Sequence, residues 1–184
     1  MKATQQLINE HEVILKMLEI LGAATEKLEN NEDVNLQDIE SMIDFLRVFA
    51  DKCHHRKEEA LLFPALEKKG ISNQGGPIGV MLNDHVQGRK FIQGMADGIE
   101  VYKADKTKGA RKIAENALDY INLLSQHIAK ENNVLFKMAD NVLSPLDQQE
   151  LLIQFDEAEE KELGPDVQKK YQELVSKLSD IYLK

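Results

Sequence analysis

Hydrophobic residues recur every three or four positions along most of this chain, which is the period of an amphipathic α-helix. The pattern predicts four helices at about residues 4–30, 35–69, 78–102 and 109–141, with Asn35 as the cap and Gly70 as the end of the second. Two more helices are predicted, one capped by Ser144 and one following Gly164 and Pro165. We therefore expect an all-α protein: an up-down four-helix bundle over residues 1–142, with two additional C-terminal helices over residues 143–184 packed on the same domain.

Histidines interrupt the apolar stripe of each of the first four helices. The chain has five histidines, and four of them occupy these inward positions: His11, His54, His85 and His127. Glu58 and Glu131 follow His54 and His127 by four residues, a spacing that stacks two side chains on one face of a helix. The two segments continue alike, KEEALLF and KENNVLF, which indicates a pseudo-repeat with two helices that each offer one His-Glu pair.

These six side chains predict a metal site in the bundle core. Buried polar groups need partners, and a metal ion suits imidazole and carboxylate together. A metal-free network of hydrogen-bonded histidines is the alternative, but the coincidence on four helices favours metal. The set suits two ions, each bound by two imidazoles, with Glu58 and Glu131 as bridges. Nitrogen and oxygen ligands without thiolate favour iron or manganese, with zinc as a further alternative.

Four residues beside these ligands are given simpler roles. His55 lies about 100° around the helix from His54, so we expect a polar flanking contact rather than a ligand. Cys53 is interpreted as a small buried hydrophobe and Tyr120 as a core tyrosine. The sequence leaves open whether Arg89 pairs with a site carboxylate or lies on the surface.

Composition narrows the class of protein further. The chain has 184 residues and a net charge of -9, with no basic stripe, which argues against a nucleic-acid partner. No apolar run approaches the roughly 18 residues that suggest a membrane span. The polar amino terminus and the single cysteine lead us to expect a cytoplasmic protein without disulfides.

Four motifs resemble those of a known family. His54, Glu58 and the following Leu62-Phe63-Pro64 resemble the HxxxE…LFP signature of the hemerythrin-like HHE cation-binding family. The runs GGPIGVMLNDHVQGR and HIAKENNVLFKMAD resemble its third- and fourth-helix motifs, and Glu10-His11 fits the first helix. The resemblance spans about residues 7–140 and excludes the last two helices.

The resemblance implies a non-haem di-iron centre in a hemerythrin-like bundle, with the four inward histidines as terminal ligands and Glu58 and Glu131 as carboxylate bridges. This ligand set is similar to that of bacterial iron-centre repair proteins. Oxygen-carrying hemerythrins differ, because they have a second third-helix histidine where this chain has Met81 and Arg89, and an aspartate as the last bridge. Reversible oxygen transport is therefore not what the resemblance implies.

The expected function is a cytoplasmic di-iron protein that binds or reacts with oxygen, nitric oxide or peroxide, or handles iron under oxidative or nitrosative stress. Turnover as an oxidase, peroxidase or nitric oxide reductase stays open, since the sequence shows no electron donor. An alternative from another class is a metal-stabilised helical adaptor with a structural site, whose last two helices bind a partner. Those helices either cover the bundle or form a homodimer contact.

Overall fold

The computed structural model describes all residues from Met1 to Lys184 and contains six helices and no strand, which confirms the all-α prediction. None of the helices has the length and apolar character needed to cross a lipid bilayer. The helices are α1 (Ala3–Glu29), α2 (residues 36–68), α3 (Pro77–Ala104), α4 (residues 106–142), α5 (Pro145–Leu163) and α6 (Val167–Tyr182).

The helix ends follow the local sequence. The Asn35 side chain accepts a hydrogen bond from the backbone N–H of Gln37 and so caps α2. Ser144 and Asp147 form a reciprocal capping box at the start of α5. Gly70, at a φ of +92°, stops α2 in a conformation that residues with a side chain rarely adopt. The predicted caps and stop are confirmed.

Two helices carry π-helical turns, which the sequence pattern did not predict. In α2, the segment Leu46–His55 and the turn Glu58–Leu62 are π-helical, and in α4 the turn Glu131–Leu135 is. A π-helix closes i→i+5 hydrogen bonds, so its turn is wider than that of an α-helix, and such turns occur frequently at functional sites. The candidate ligands of α2 and α4 lie in these turns or beside them.

Two apolar cores occupy opposite ends of the bundle. The larger core joins the second half of α1, the first half of α2, the second half of α3 and the first half of α4. The smaller core joins the other ends of the same four helices. This partition requires neighbouring helices to run in opposite directions, as the up-down prediction has it. His11 lies between Leu7 of the smaller core and Ile14 of the larger one, so the histidines form a polar layer between the two cores.

The last two helices cover the bundle. Helix α5 places Leu151 and Phe155 in the smaller core, whereas α6 places Tyr171 in the larger one. The Tyr171 hydroxyl also donates a hydrogen bond of 2.7 Å to Asp44 of α2. Because α5 and α6 reach different cores, the chain between them passes beside the polar layer.

Candidate metal centre

The polar layer brings together all six side chains singled out in the sequence. Each is at most 1% exposed: His11, His54, Glu58, His85, His127 and Glu131. Glu131 lies between two histidines, with Oε2 3.2 Å from Nε2 of His11 and 3.1 Å from Nε2 of His127. Helices α1, α2, α3 and α4 each contribute at least one of these side chains, so the centre exists only once the four helices have packed.

Glu58 lies between another pair of histidines. Its Oε1 is 3.5 Å from Nε2 of His54, and its Oε2 is 3.4 Å from Nε2 of His85. Each carboxylate therefore connects histidines from different helices and different sides of the layer. This is the placement that a bridging carboxylate needs.

The ligand atoms form two groups that share Glu58. In each group, the atoms offered by four buried residues lie within 4.8 Å of one another. We name the groups subsite A, formed by His11, His54, Glu58 and Glu131, and subsite B, formed by His55, Glu58, His85 and His127. The subsites are unequal, since A has two imidazoles and B has three.

His55 lies closer to the other ligand atoms than its position in the sequence indicated. It is 5% exposed, and its ring stacks on that of His85 with centroids 3.9 Å apart, so it makes the expected flanking contact and is also placed to act as a further ligand. The expectation assumed about 100° between successive side chains, whereas the wider π-helical turn brings His54 and His55 closer in angle. The adjacent pair of histidines in the sequence could have indicated that both face the centre, but only if the π-helical winding of this segment were known.

Every histidine of the centre turns Nδ1 away from it, towards an oxygen acceptor. Four of these contacts are hydrogen bonds, which pair His11 with Asn132 at 2.8 Å, His54 with Glu10 at 2.8 Å, His85 with Glu59 at 2.7 Å and His55 with Asp51 at 3.4 Å. Nδ1 of His127 lies 3.5 Å from Asp84 without a hydrogen bond. An acceptor at Nδ1 fixes the proton there and leaves Nε2 free to bind a metal. The four hydrogen bonds therefore orient their imidazoles as ligands.

Arg89 joins two of these outer acceptors. Its guanidinium donates to Asp51 at 2.9 Å and to Glu59 at 2.7 Å, and these carboxylates hold His55 and His85. The question that the sequence left open is thereby answered: Arg89 pairs with carboxylates beside the centre while its side chain stays 41% exposed.

The inner atoms of the centre lack partners of their own. Nε2 of His11 and His54 and both oxygens of Glu58 and Glu131 are buried without a hydrogen bond. Nε2 of His85 and Nε2 of His127 face each other at 3.2 Å. A buried polar atom without a partner costs about 1–3 kcal/mol. Cations bound among these atoms would satisfy them, so the residues present fit a metal centre.

The electrostatics of the layer are those of a site built to hold positive charge. Burial opposes the charged form of His54, but Glu58 and Glu10 outweigh it and raise the pKa of His54 to about 10. Burial likewise opposes the charge on His127, and Glu131 and Asp84 raise its pKa to about 9. Burial opposes the charge on Glu131 as well, but His127 and His11 hold the pKa of its carboxyl well below the usual range. In the metal-free protein, protons therefore occupy imidazole nitrogens. A metal ion that binds these nitrogens must displace the protons.

His55 differs from the other histidines in its charge. Burial and the neighbouring His85 and His127 lower the pKa of His55 well below its usual value. A neutral imidazole has a free lone pair at neutral pH, which is the form that binds metal. Its electrostatics therefore agree with its place in subsite B.

The sequence of this chain is similar to those of known proteins. Residues 2–139 match the family described as hemerythrin HHE cation binding domain. Uncharacterized proteins from Mycobacterium bovis and Mycobacterium tuberculosis are similar at 23% identity over 179 residues, which is 97% of this chain and 68% of each relative. The family match includes both subsites and ends before α5 and α6.

Proposed function

The chain belongs to the hemerythrin HHE cation-binding family, and on that premise we propose that its polar layer holds a carboxylate-bridged pair of iron ions. The proposed ligands are His11 and His54 in subsite A, His55, His85 and His127 in subsite B, and Glu58 and Glu131 as bridges. Six inner atoms without a partner, together with four imidazoles that are hydrogen-bonded at Nδ1, support this assignment most strongly. Iron is proposed over zinc because the family usually binds iron.

We further propose that this cytoplasmic protein binds or reacts with oxygen, nitric oxide or peroxide, or handles iron under oxidative or nitrosative stress. A pair of iron ions held there would supply electrons and coordination positions for such small ligands. Subsite A offers one imidazole fewer than subsite B, so a small ligand would have more room to bind a metal held in subsite A. The buried free thiol of Cys53 accords with a reducing compartment.

The surrounding residues determine what reaches the centre. The ring of Phe136 stacks on His11, with centroids 5.5 Å apart, and Phe63 lies 6.1 Å from His85. These two aromatic rings belong to the smaller core and exclude bulk water from the side of the centre that faces this core. Small uncharged ligands pass such rings more readily than ions do, because ions lose their hydration there. The layer therefore favours a small ligand over a large organic substrate.

The test is an optical titration of the full-length protein loaded anaerobically with iron(II). We expect its spectrum to change on exposure to at least one of oxygen, nitric oxide and hydrogen peroxide, and His54→Ala to lose that change. Consumption of the ligand with an added electron donor, above the rate of His54→Ala, separates turnover from binding. A loaded protein whose spectrum responds to none of the three would refute a reactive centre.

A further inference from the structure

A buried ion network lies outside the ligand set, where α5 meets the bundle. The ammonium of Lys57 on α2 is 2% exposed, and it contacts Glu10 of α1 at 2.6 Å and Glu159 of α5 at 2.5 Å. Lysine is almost never buried unless it is paired. Here one ammonium is shared between two carboxylates.

Glu10 connects this network to the metal centre. One of its oxygens accepts from Lys57, and the other accepts the Nδ1 hydrogen bond of His54 at 2.8 Å. The chain of contacts is therefore Glu159, Lys57, Glu10 and His54, ending at an imidazole of subsite A. It begins on a helix that lies beyond the family match, which ends at residue 139.

Two further donors hold Glu159 in place. The amide of Gln168 on α6 donates to Glu159 at 2.9 Å, and the Cys53 thiol donates to the same oxygen at 3.1 Å. Glu10, Cys53 and Glu159 are close enough together to resemble a third metal site. The Lys57 ammonium already contacts both of these carboxylates, so this cluster is an ion pair rather than a cation site.

The outer acceptors of subsite B make no hydrogen bond with the C-terminal helices. Its outer acceptors Asp51 and Glu59 pair with Arg89, and Asp84 pairs with Lys130 at 2.6 Å. All of these partners belong to the four-helix bundle. A change at Glu159 should therefore act mainly on subsite A, although the two subsites share Glu58.

We propose that Glu159 is a positioning residue for subsite A, through which the C-terminal helices adjust the metal affinity of His54. The inference rests on the proposed metal centre. Because Glu159 shares the charge of Lys57, Glu10 keeps more of its negative charge for the Nδ1 hydrogen of His54. A carboxylate acceptor at Nδ1 makes an imidazole a stronger ligand, and loss of such a partner typically costs about 10–100-fold in metal affinity. Without Glu159, Lys57 neutralises Glu10 more completely and His54 binds less strongly.

The test compares Glu159→Gln with Glu157→Gln in the full-length protein. Both variants remove one negative charge from α5, but Glu157 is exposed and lies outside the network. Stepwise cobalt(II) affinities, measured by competition with a chelator, should show one step weakened about tenfold in Glu159→Gln, the low end of the range for loss of an outer partner. The other step, and both steps of Glu157→Gln, should match the unmodified protein.

Two further measurements separate positioning from general loosening. In the zinc-loaded protein, the 15N resonance of His54 Nδ1 should shift in Glu159→Gln and stay in place in Glu157→Gln. In a Lys57→Met background, adding Glu159→Gln should have a smaller effect on affinity, because Glu159 then connects to Glu10 only through Gln168, whose contact with Glu10 is long at 3.4 Å. If Glu159→Gln does not fold, Glu159→Asp keeps the charge with a shorter side chain and should weaken the same step to a smaller extent.

The outcomes are distinct from those of the proposed function. Equal weakening of both steps, or an unchanged His54 resonance and unchanged affinities, would overturn the role of Glu159 while leaving the metal centre intact. Failure of the unmodified protein to bind two ions would instead overturn the proposed function itself.

Discussion

Removal of metal should destabilise this protein strongly, because the metal-free polar layer keeps six inner atoms buried without a hydrogen-bond partner: Nε2 of His11 and of His54, and both oxygens of Glu58 and Glu131. Each such atom costs about 1–3 kcal/mol when it is left without a partner. Protonated imidazoles next to the carboxylates reduce this energetic cost in part, since the pKa of His54 rises to about 10. Bound metal replaces the protons and satisfies the remaining oxygens.

The size of the effect follows from linkage. A ligand present at 1,000 times its dissociation constant stabilises the folded state by about 4 kcal/mol per site. For a chain of this length, 1 kcal/mol shifts the melting temperature by about 2–4 °C. One filled subsite should therefore raise the melting temperature by about 8–16 °C, and filling the second should raise it further.

The assay is thermal unfolding followed by circular dichroism at 222 nm, on chelator-treated protein and on protein loaded anaerobically with iron(II). Glu131→Gln, which keeps the shape of a bridging side chain but removes its charge, should show a smaller rise on loading. The exposed change Glu157→Gln should show the full rise. Stripped and loaded protein that melt within about 2 °C of each other, well under the shift expected from one filled subsite, would refute the reasoning.

Three further predictions concern the layer and its scaffold. Arg89→Ala should weaken metal binding at subsite B about tenfold, because Arg89 holds the carboxylates that accept from His55 and His85. The control change Lys90→Ala, at an exposed neighbouring residue, should leave the affinity unchanged. Chelator competition measures both affinities. In the metal-free protein the pKa of His54 is about 10, against 6.5 for an ordinary histidine, so its contribution to stability is complete below pH 6.5 and is lost as pH rises to 10. The melting temperature of stripped protein should therefore fall faster between pH 7 and 10 than that of loaded protein. Parallel curves would contradict this. Gly98→Ala should destabilise the fold by about 1–3 kcal/mol, because the added Cβ would lie 2.8 Å from Ile113. Gly22→Ala should instead stabilise the fold by about 0.5–1 kcal/mol, because its nearest neighbour would lie 3.8 Å away. Urea unfolding measures the sign of each change.

Helical periodicity was sufficient to predict the framework of the centre. His11 and His85 lie on α1 and α3, which are regular α-helices, so their inward direction follows from the spacing of the apolar residues around them. Asn35 and Ser144 marked helix starts by their capping chemistry alone. These features are local, and local physics decides them.

The features that the sequence did not predict depend on winding or on tertiary contact. His55 enters subsite B because α2 is π-helical there, and a period of 3.6 residues does not describe that winding. Lys57 and Glu159 lie in the charged stretches HHRKEE and DEAEEKEL, which resemble solvated surface. Only the packing of α5 against the bundle shows that Lys57 is buried and that Glu159 reaches it.

The most direct measurement of the central claim is the metal content per chain after anaerobic loading with iron(II) and removal of loosely bound metal. The account predicts close to two iron ions per chain, and close to one in a variant that loses subsite A, such as His11→Ala. One ion per chain in the unmodified protein, or none, would contradict a two-metal centre.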